Sequence, residues 1–196
     1  MSAMINFLLE ANLSIEDQKL QRVLRIMSRD FDNEPLDRNL KRVTNKQLRQ
    51  IYKEKNVKKI KHLDLVDKLD IDKDKSLIIG SSVLVVCDVV DKNDDVDLVV
   101  TKPVFNKAAK NTQTVKNYKR EYNKVFYTTP NHNIELAVNF QILNTTTEKL
   151  IKRAVNIKGY NFMSLRDTYK MYKILNRPKD VQKLKKLKKI FSKGHL

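Results

Sequence analysis

The segment from residue 77 to residue 100 constrains the fold more than any other part of the chain. It begins with three apolar residues of the strand type, which lead directly into Gly80. Apolar residues then recur at intervals of three and four, as in a helix, up to Val90. After a polar turn, residues 96–100 form a second apolar run typical of a strand. The sequence therefore predicts a strand, a tight turn, a short helix and a second strand.

Asp95 and Asp97 flank the start of the second predicted strand and define the candidate catalytic centre. Side chains at positions i and i+2 of a strand point to the same side, roughly 7 Å apart. Carboxylate oxygens are the ligands that Mg²⁺ prefers, and the ion keeps positions open for phosphates and water. An isolated Asp-x-Asp pattern carries little weight in a chain this rich in aspartate. The prediction of a metal site therefore depends on the turn upstream.

That turn, formed by Gly80, Ser81 and Ser82, is the candidate phosphate-binding element. It offers backbone N–H groups and hydroxyls at a predicted helix N-terminus, where a phosphate is electrostatically favoured. A side chain at the glycine position would obstruct the close approach of a triphosphate. For Ser82, a role as helix cap alone is the alternative.

These motifs resemble the signature of the nucleotidyltransferase superfamily, whose members share the fold of DNA polymerase beta. In that superfamily a Gly-Ser or Gly-Gly pair precedes Asp-x-Asp by one short helix, as in IIGSSVLVVCDVVDKNDDVDLVV here. A second stretch is similar to the minimal nucleotidyltransferases of the abortive-infection toxin type. It reads FMSLRD at residues 162–167, with Lys173 and then RPKD at residues 177–180 downstream. The resemblance covers residues 77 to 190, and it leaves the N-terminal part of the chain outside.

The resemblance implies an α+β fold, with a small mixed sheet flanked by helices and followed by C-terminal helices. Residues 70–76 alternate aspartate with lysine, which predicts a surface linker, so we divide the chain into residues 1–72 and 73–196. The first part reads as a helical extension, with capping signatures at Ser14 and Thr44. Its helices are candidates for contact with a protein partner.

The resemblance also implies the roles of individual residues. Asp95 and Asp97 are expected to bind Mg²⁺ or Mn²⁺, with a nucleoside triphosphate as the substrate. Glu135 is the candidate third carboxylate, which would ligate metal and help deprotonate the attacking hydroxyl. It stands where the family more often has aspartate, and this departure puts catalysis itself in question. The expected nucleotide-binding residues are Gly80, Ser81, Ser82, Lys173 and Lys179.

Downstream of the central segment, the sequence predicts a hairpin and two helices. Residues 123–128 and 134–140 flank a polar Thr-Pro-Asn-His-Asn turn, which favours a hairpin. Ser164 begins a capping box, and Pro178 fits the first turn of an amphipathic last helix. The tyrosines around the hairpin lie among lysines and would suit RNA stacking or, alternatively, a half-buried strand.

The charge of the chain predicts a polyanionic partner. Forty Lys and Arg residues stand against 23 Asp and Glu residues, giving a formal net charge of +17. A field of this size attracts nucleic acid, and RNA is the expected acceptor, with a tRNA 3′ end as one candidate. Lysine runs at residues 53–61 and 183–189 could contact phosphates. The alternative is that the runs are ordinary solvated faces in a chain of biased composition.

Cysteine content and hydropathy bear on the compartment. Cys87 is the single cysteine, which excludes internal disulfides and favours a reducing cytoplasmic location. No apolar run reaches the ~18 residues that a membrane-spanning helix needs. The first eleven residues lack a basic region before their apolar patch, so a signal peptide is not expected.

These observations lead to one preferred function and several alternatives. The preferred one is metal-dependent transfer of a nucleoside monophosphate to a hydroxyl on RNA, in a toxin–antitoxin-like or phage-defence setting that the resemblance implies. A binding or regulatory protein on the same fold without turnover is the first alternative. A structural component bound to nucleic acid is the second. A small cationic acceptor such as an aminoglycoside ranks lower, because the strongly positive protein would repel it.

Overall fold

The computed structural model describes residues 45–119, 124–138 and 141–192. The predicted helix at Ser14 and most of the expected helical extension therefore lie outside the described residues. Within these ranges, four short 3₁₀ segments connect the main elements: Glu54–Lys59, Lys73–Lys75, Gln141–Leu143 and Pro178–Asp180.

The described residues form seven α-helices and seven strands. The helices are α1 (Asn45–Ile51), α2 (Asp64–Lys68), α3 (Ser81–Val86), α4 (Lys102–Ala108), α5 (Thr147–Ile151), α6 (Leu165–Leu175) and α7 (Val181–Ser192). The strands are β1 (Ser76–Ile79), β2 (Val96–Val100), β3 (Val115–Lys119), β4 (Lys124–Thr128), β5 (Ile134–Val138), β6 (Val155–Ile157) and β7 (Tyr160–Phe162).

The strands make one mixed sheet in the order β3-β4-β5-β2-β1-β7-β6. Strand β2 is central, antiparallel to β1 and parallel to β5. The predicted hairpin is confirmed as the antiparallel pair β4 and β5, and β3 extends it outward. Strand β7 runs parallel to β1 on the other side and pairs with β6. A mixed sheet with helices confirms the α+β class.

The predicted strand, turn, helix and strand at the centre of the chain are confirmed as β1, α3 and β2. Helix α3 ends at Val86, earlier than the apolar period suggested. Its last carbonyl accepts hydrogen bonds from Lys53 N at 2.9 Å and from Asn56 Nδ2 at 3.3 Å. Asp88 then adopts a positive φ of 54°. The helix stops because the preceding 3₁₀ segment occupies its carboxyl end, and Val89 stays buried in the loop.

The segment before β1 packs on the sheet through its apolar side chains. Ile51, Val57 and Val66 belong to the same buried cluster as the central strands. The hydroxyl of Tyr52 donates a hydrogen bond to Met163 O at 2.6 Å. Burial is the largest cause that raises the pKa of this phenol well above its ordinary value. The boundary at residue 72 stays a prediction.

Helix α4 covers one face of the central sheet. Leu98 and Leu136 are register partners and therefore lie on one face. Leu136 lines a cavity of about 250 Å³ together with Val104 and Ala108, so α4 covers this face. The residues that alternate with them point to the opposite face.

The C-terminal helices follow their sequence signals. Ser164 Oγ accepts a hydrogen bond from Asp167 N at 3.1 Å, which confirms the predicted cap of α6. Pro178 begins the 3₁₀ turn that leads into α7. Leu187 and Phe191 bury their side chains, whereas Val181 stays 42 % exposed. None of the described helices combines the length and apolarity needed to cross a bilayer.

The central strand supplies a test of the core. Leu98→Ala should lower the free energy of unfolding by about 2–5 kcal/mol, because it removes a large side chain that is 1 % exposed in β2 and leaves a cavity. Urea denaturation followed by circular dichroism measures the change. Val115→Ala on the outer strand, where the side chain is 48 % exposed, is the matched control and should cost less than about 0.5 kcal/mol. Equal losses would contradict the assignment of β2 to the core.

Candidate active site

One row across the sheet brings two of the predicted carboxylates together. Asp97 in β2 pairs with Ile79 of β1 on one side and with Glu135 of β5 on the other. Neighbouring strands lie roughly 4.8 Å apart, and register partners share a face. The Asp97 and Glu135 side chains therefore stand side by side, on the face opposite to α4. Both residues are half-buried, so a ligand from solvent can reach them.

The carboxylate of Asp97 lies directly against the backbone of Gly80. A Cβ at position 80 would lie 2.7 Å from Asp97 Oδ2, closer than real Cβ contacts allow. Gly80 also has φ of 69° and ψ of −142°, a conformation that L side chains rarely adopt. Two independent constraints therefore require glycine here. The turn and the Asp-x-Asp motif are separated in sequence by α3 and a loop, and the fold brings them into contact.

Asp95 is held through its backbone. Its carbonyl oxygen accepts hydrogen bonds from Asn93 Nδ2 at 2.9 Å and from Ser82 Oγ at 3.4 Å. The Asn93 side chain is 1 % exposed and also bonds both backbone groups of Lys61, at 2.9 Å and 3.2 Å. Ser82 is buried as well, so its hydroxyl faces the Asp95 backbone. The polar turn before β2 is thus fixed from two sides.

Helix α6 places a buried tyrosine in the field of the same carboxylates. Burial is the largest cause that raises the pKa of Tyr172, followed by the charges of Asp180, Asp97 and Asp95. Arg177 acts in the opposite direction. The phenol is therefore within electrostatic range of both aspartates of the motif. The C-terminal helices, distant in sequence, pack beside the site.

Asp180 is the anchor of this C-terminal part. Its side chain is fully buried and accepts hydrogen bonds from Arg177 Nε and, at 3.0 Å, from Lys183 Nζ. Burial acts to raise the pKa of this carboxyl, but the two cationic donors outweigh burial and the pKa is lowered. Lys183 Nζ also lies 5.2 Å from the centre of the Tyr172 ring. Asp180 therefore joins the start of α7 to the end of α6.

The predicted nucleotide-binding residues divide into two groups. Gly80, Ser81 and Ser82 lie at the end of β1, next to Asp97 and Asp95. Lys173 on α6 and Lys179 in the 3₁₀ turn are exposed. They flank the Tyr172 and Asp180 positions in sequence, which places them on the C-terminal elements beside the site. Their contact with a triphosphate stays a prediction.

The arrangement of the carboxylates bears on metal binding. Among residues 45–119, 124–138 and 141–192, no group of three or more histidine, cysteine or acidic side chains is close enough to hold a metal ion. Mg²⁺ commonly takes only one or two protein carboxylates and completes its shell with substrate phosphates and water. Asp95 and Asp97, both half-buried, are a donor set of that size. Their binding of Mg²⁺ or Mn²⁺ stays a prediction.

Three residues of the site were missed at the level of sequence. Asn93 lies in a polar turn whose composition gave no sign that its amide would be buried. Tyr172 follows the helical spacing of the buried residues of α6, which gives no sign of nearby charges. Asp180 belongs to the RPKD stretch, in which the resemblance implies a role only for Lys179. A buried aspartate between two basic residues at i−3 and i+3 was the available signal.

Comparisons with known proteins returned no match: no protein-family model fits the chain, and no curated protein or solved structure is significantly similar to it.

Gly80 offers a sharp test of the contact with Asp97. Gly80→Ala should lower the free energy of unfolding by about 1–3 kcal/mol more than Gly159→Ala does. Gly159 is the matched control because it also has a positive φ, of 80°, but its added Cβ meets nothing within 4 Å. Urea denaturation of both variants measures the difference. In an Asp97→Ala background the excess cost should become smaller, because the steric clash is removed while the backbone strain remains. An excess that stays unchanged would refute the contact.

Asp180 should contribute stability that depends on pH. Asp180→Asn should cost about 1–3 kcal/mol at neutral pH, because two cationic donors lose a buried charged acceptor. Since the folded-state pKa is lowered, this contribution is complete above the unfolded value of about 3.9 and is lost as pH falls through the folded value. Urea midpoints of wild type and variant should therefore converge below about pH 4. Asp64→Asn removes an exposed partner of Lys68 and should leave the urea midpoint close to that of wild type across the same pH range.

Proposed function

We propose that the chain has a nucleotidyltransferase fold and transfers a nucleoside monophosphate from a nucleoside triphosphate to a hydroxyl group of RNA. The observation that carries the proposal is the register pair of Asp97 and Glu135 on the central strands, with Gly80 directly against the Asp97 carboxylate. It combines an acidic centre with a backbone position that no side chain can fill. The sequence resemblance supports the same assignment through the spacing of Gly80 and Asp95.

Asp95 and Asp97 would hold the divalent cation, Mg²⁺ or Mn²⁺. When bound, the cation would neutralise charge on the triphosphate and on the attacking oxygen. Gly80 would let the Asp97 carboxylate approach the end of β1, where the turn would offer backbone N–H groups to the phosphates. Asn93 would keep Asp95 in place by its hydrogen bond to the Asp95 backbone.

Glu135 would accept the proton of the acceptor hydroxyl. The hydroxyl oxygen then forms a bond to the α-phosphorus, and the bond from that phosphorus to the pyrophosphate oxygen breaks. Pyrophosphate leaves with the electron pair of the broken bond. Exposed Lys173 and Lys179 would balance the charge of the triphosphate as it enters and of the pyrophosphate as it leaves. A glutamate side chain is longer than that of the aspartate more usual at this position. Glu135 lies near the start of β5, and its register with Asp97 still sets the two carboxylates side by side.

RNA is the acceptor that the charge of the chain favours. The formal net charge of +17 attracts a phosphate backbone and disfavours a cationic small molecule. A 3′-terminal hydroxyl, as at the end of a tRNA, is the group that such a reaction would extend. The cytoplasmic location and the role in phage defence stay expectations from sequence.

The activity is tested by incubating the full-length protein with total RNA and each labelled nucleoside triphosphate. Asp95→Asn combined with Asp97→Asn should reduce label transfer by at least about 1,000-fold, since the metal ligands supply several kcal/mol to the transition state. Gel separation identifies the donor and the class of acceptor. Asp91→Asn combined with Asp94→Asn is the matched control, because it removes two exposed acids from the same turn. It should leave transfer within about twofold of wild type. Unchanged transfer in the first variant would end the proposal.

A binding protein without turnover is the second candidate. Two observations favour it: Glu135 replaces the more usual aspartate, and no three acidic side chains of the described part converge as a metal-binding group. Isothermal titration with Mg²⁺ and each triphosphate distinguishes the two candidates. Binding of a nucleotide without any release of pyrophosphate, with or without RNA, would favour the binding protein over the enzyme.

A further inference from the structure

We propose that two lysine-rich segments form one surface beside the carboxylates and bind the phosphate backbone of the RNA acceptor without regard to its sequence. The segments are residues 53–61 and helix α7, and we call them together the basic surface. Each segment carries five lysines. The assignment of this surface to an acceptor rests on the proposed function, whereas its binding of RNA can be measured independently of turnover.

The first segment is fixed to the turn that leads into the site. Lys61 at its end exchanges two backbone hydrogen bonds with the Asn93 side chain. The same side chain donates to the carbonyl of Asp95. Lys59 Nζ lies 3.4 Å from Asp88 Oδ1 in the loop after α3. One buried amide therefore links the end of the lysine run to the first aspartate of the motif.

Helix α7 reaches the same loop from the other side. Lys186 Nζ donates a hydrogen bond to Val89 O at 2.9 Å. The start of the helix is held by Asp180, whose buried carboxylate accepts from Lys183. Both basic segments therefore touch the stretch from residue 87 to residue 95, which connects α3 to the carboxylates. Two runs that are more than 120 residues apart in sequence meet at one place in the fold.

The surface carries a high density of positive charge at exposed positions. Nine of its ten lysines are exposed and Lys183 is half-buried. Glu54 is the acidic residue within the two segments. The loop between them contributes Asp88, which already contacts Lys59, together with exposed Asp91 and Asp94. Because the flanking lysines outnumber these acids, the combined field favours phosphate.

The composition of the surface predicts how it binds. Phe191 is its aromatic residue, and that ring is buried against Tyr169 at 5.5 Å between ring centres. No exposed aromatic side chain is therefore present in these segments, through Ser192, to stack on bases. Lysine interacts with phosphate as a point charge, and phosphate contacts position a nucleic acid without specifying its sequence. We therefore expect sequence-independent binding with strong salt dependence.

Fluorescence anisotropy with labelled RNA oligonucleotides of equal length and unrelated sequence tests this surface in the full-length protein. EDTA and the absence of nucleotide keep the measurement independent of turnover. The variant carries Lys55→Gln, Lys58→Gln, Lys185→Gln and Lys188→Gln, all at exposed positions. Its Kd should rise at least about tenfold, and the slope of log K against log salt should fall by up to about 3, at roughly 0.7 per lost phosphate contact.

The matched control carries Lys102→Gln, Lys110→Gln, Lys149→Gln and Lys152→Gln, which remove the same charge from exposed positions elsewhere. Lys102 begins the helix after the far end of β2, and Lys110 lines the cavity on the opposite face of the sheet. The control should keep Kd within about threefold of wild type. Lysine-to-arginine changes at the four test positions should preserve binding.

Equal losses in the two glutamine variants, or a test variant that binds like wild type, would overturn the surface assignment. A large difference in Kd between the unrelated RNAs would contradict binding through the phosphate backbone alone. The Asp95→Asn and Asp97→Asn protein should still bind RNA. If it binds RNA and also transfers label like wild type, the proposed activity fails while the basic surface stands.

Discussion

The contact between the Asp97 carboxylate and the Cα of Gly80 is the constraint on which the site depends. It requires a residue without a side chain at the end of β1, and it requires β1 and β2 to pair in one register only. A shift by one residue would send Asp97 into the apolar face that α4 covers. The same register places Glu135 beside Asp97. The geometry of three strands therefore converges on one pair of carboxylates.

The C-terminal helices lie beside the site, and a buried charge fixes the turn that connects them. Asp180 is fully buried, and its cost is offset by Arg177 and Lys183. Lys183 also lies over the Tyr172 ring. Burial, followed by the charges of Asp180, Asp97 and Asp95, raises the pKa of that phenol. Helix α7 in turn reaches the loop after α3 through Lys186. The fold thus joins the acidic centre to a strongly basic exterior.

The proposed reaction depends on positive and negative charges that lie close together. A negatively charged acceptor must approach a centre that is itself acidic, and the surrounding lysines offset that repulsion. The separation is spatial: the carboxylates lie at the strand ends, and the lysines lie on the flanking helical segments. Under the proposed function, sequence-independent attraction to the backbone would leave the choice of the reacting hydroxyl to the geometry of the site.

Local sequence determined the elements near the centre of the chain. The apolar periods around Gly80 predicted β1, α3 and β2, and the cap at Ser164 predicted α6, because these signals act between close neighbours. Tertiary structure alone decided which distant residues meet. The parallel pairing that sets Glu135 beside Asp97 spans α4, β3 and β4, and the buried Asn93 amide is held by Lys61, 32 residues away. Such pairings are set by packing and by long-range hydrogen bonds, for which a single sequence contains no periodic signal.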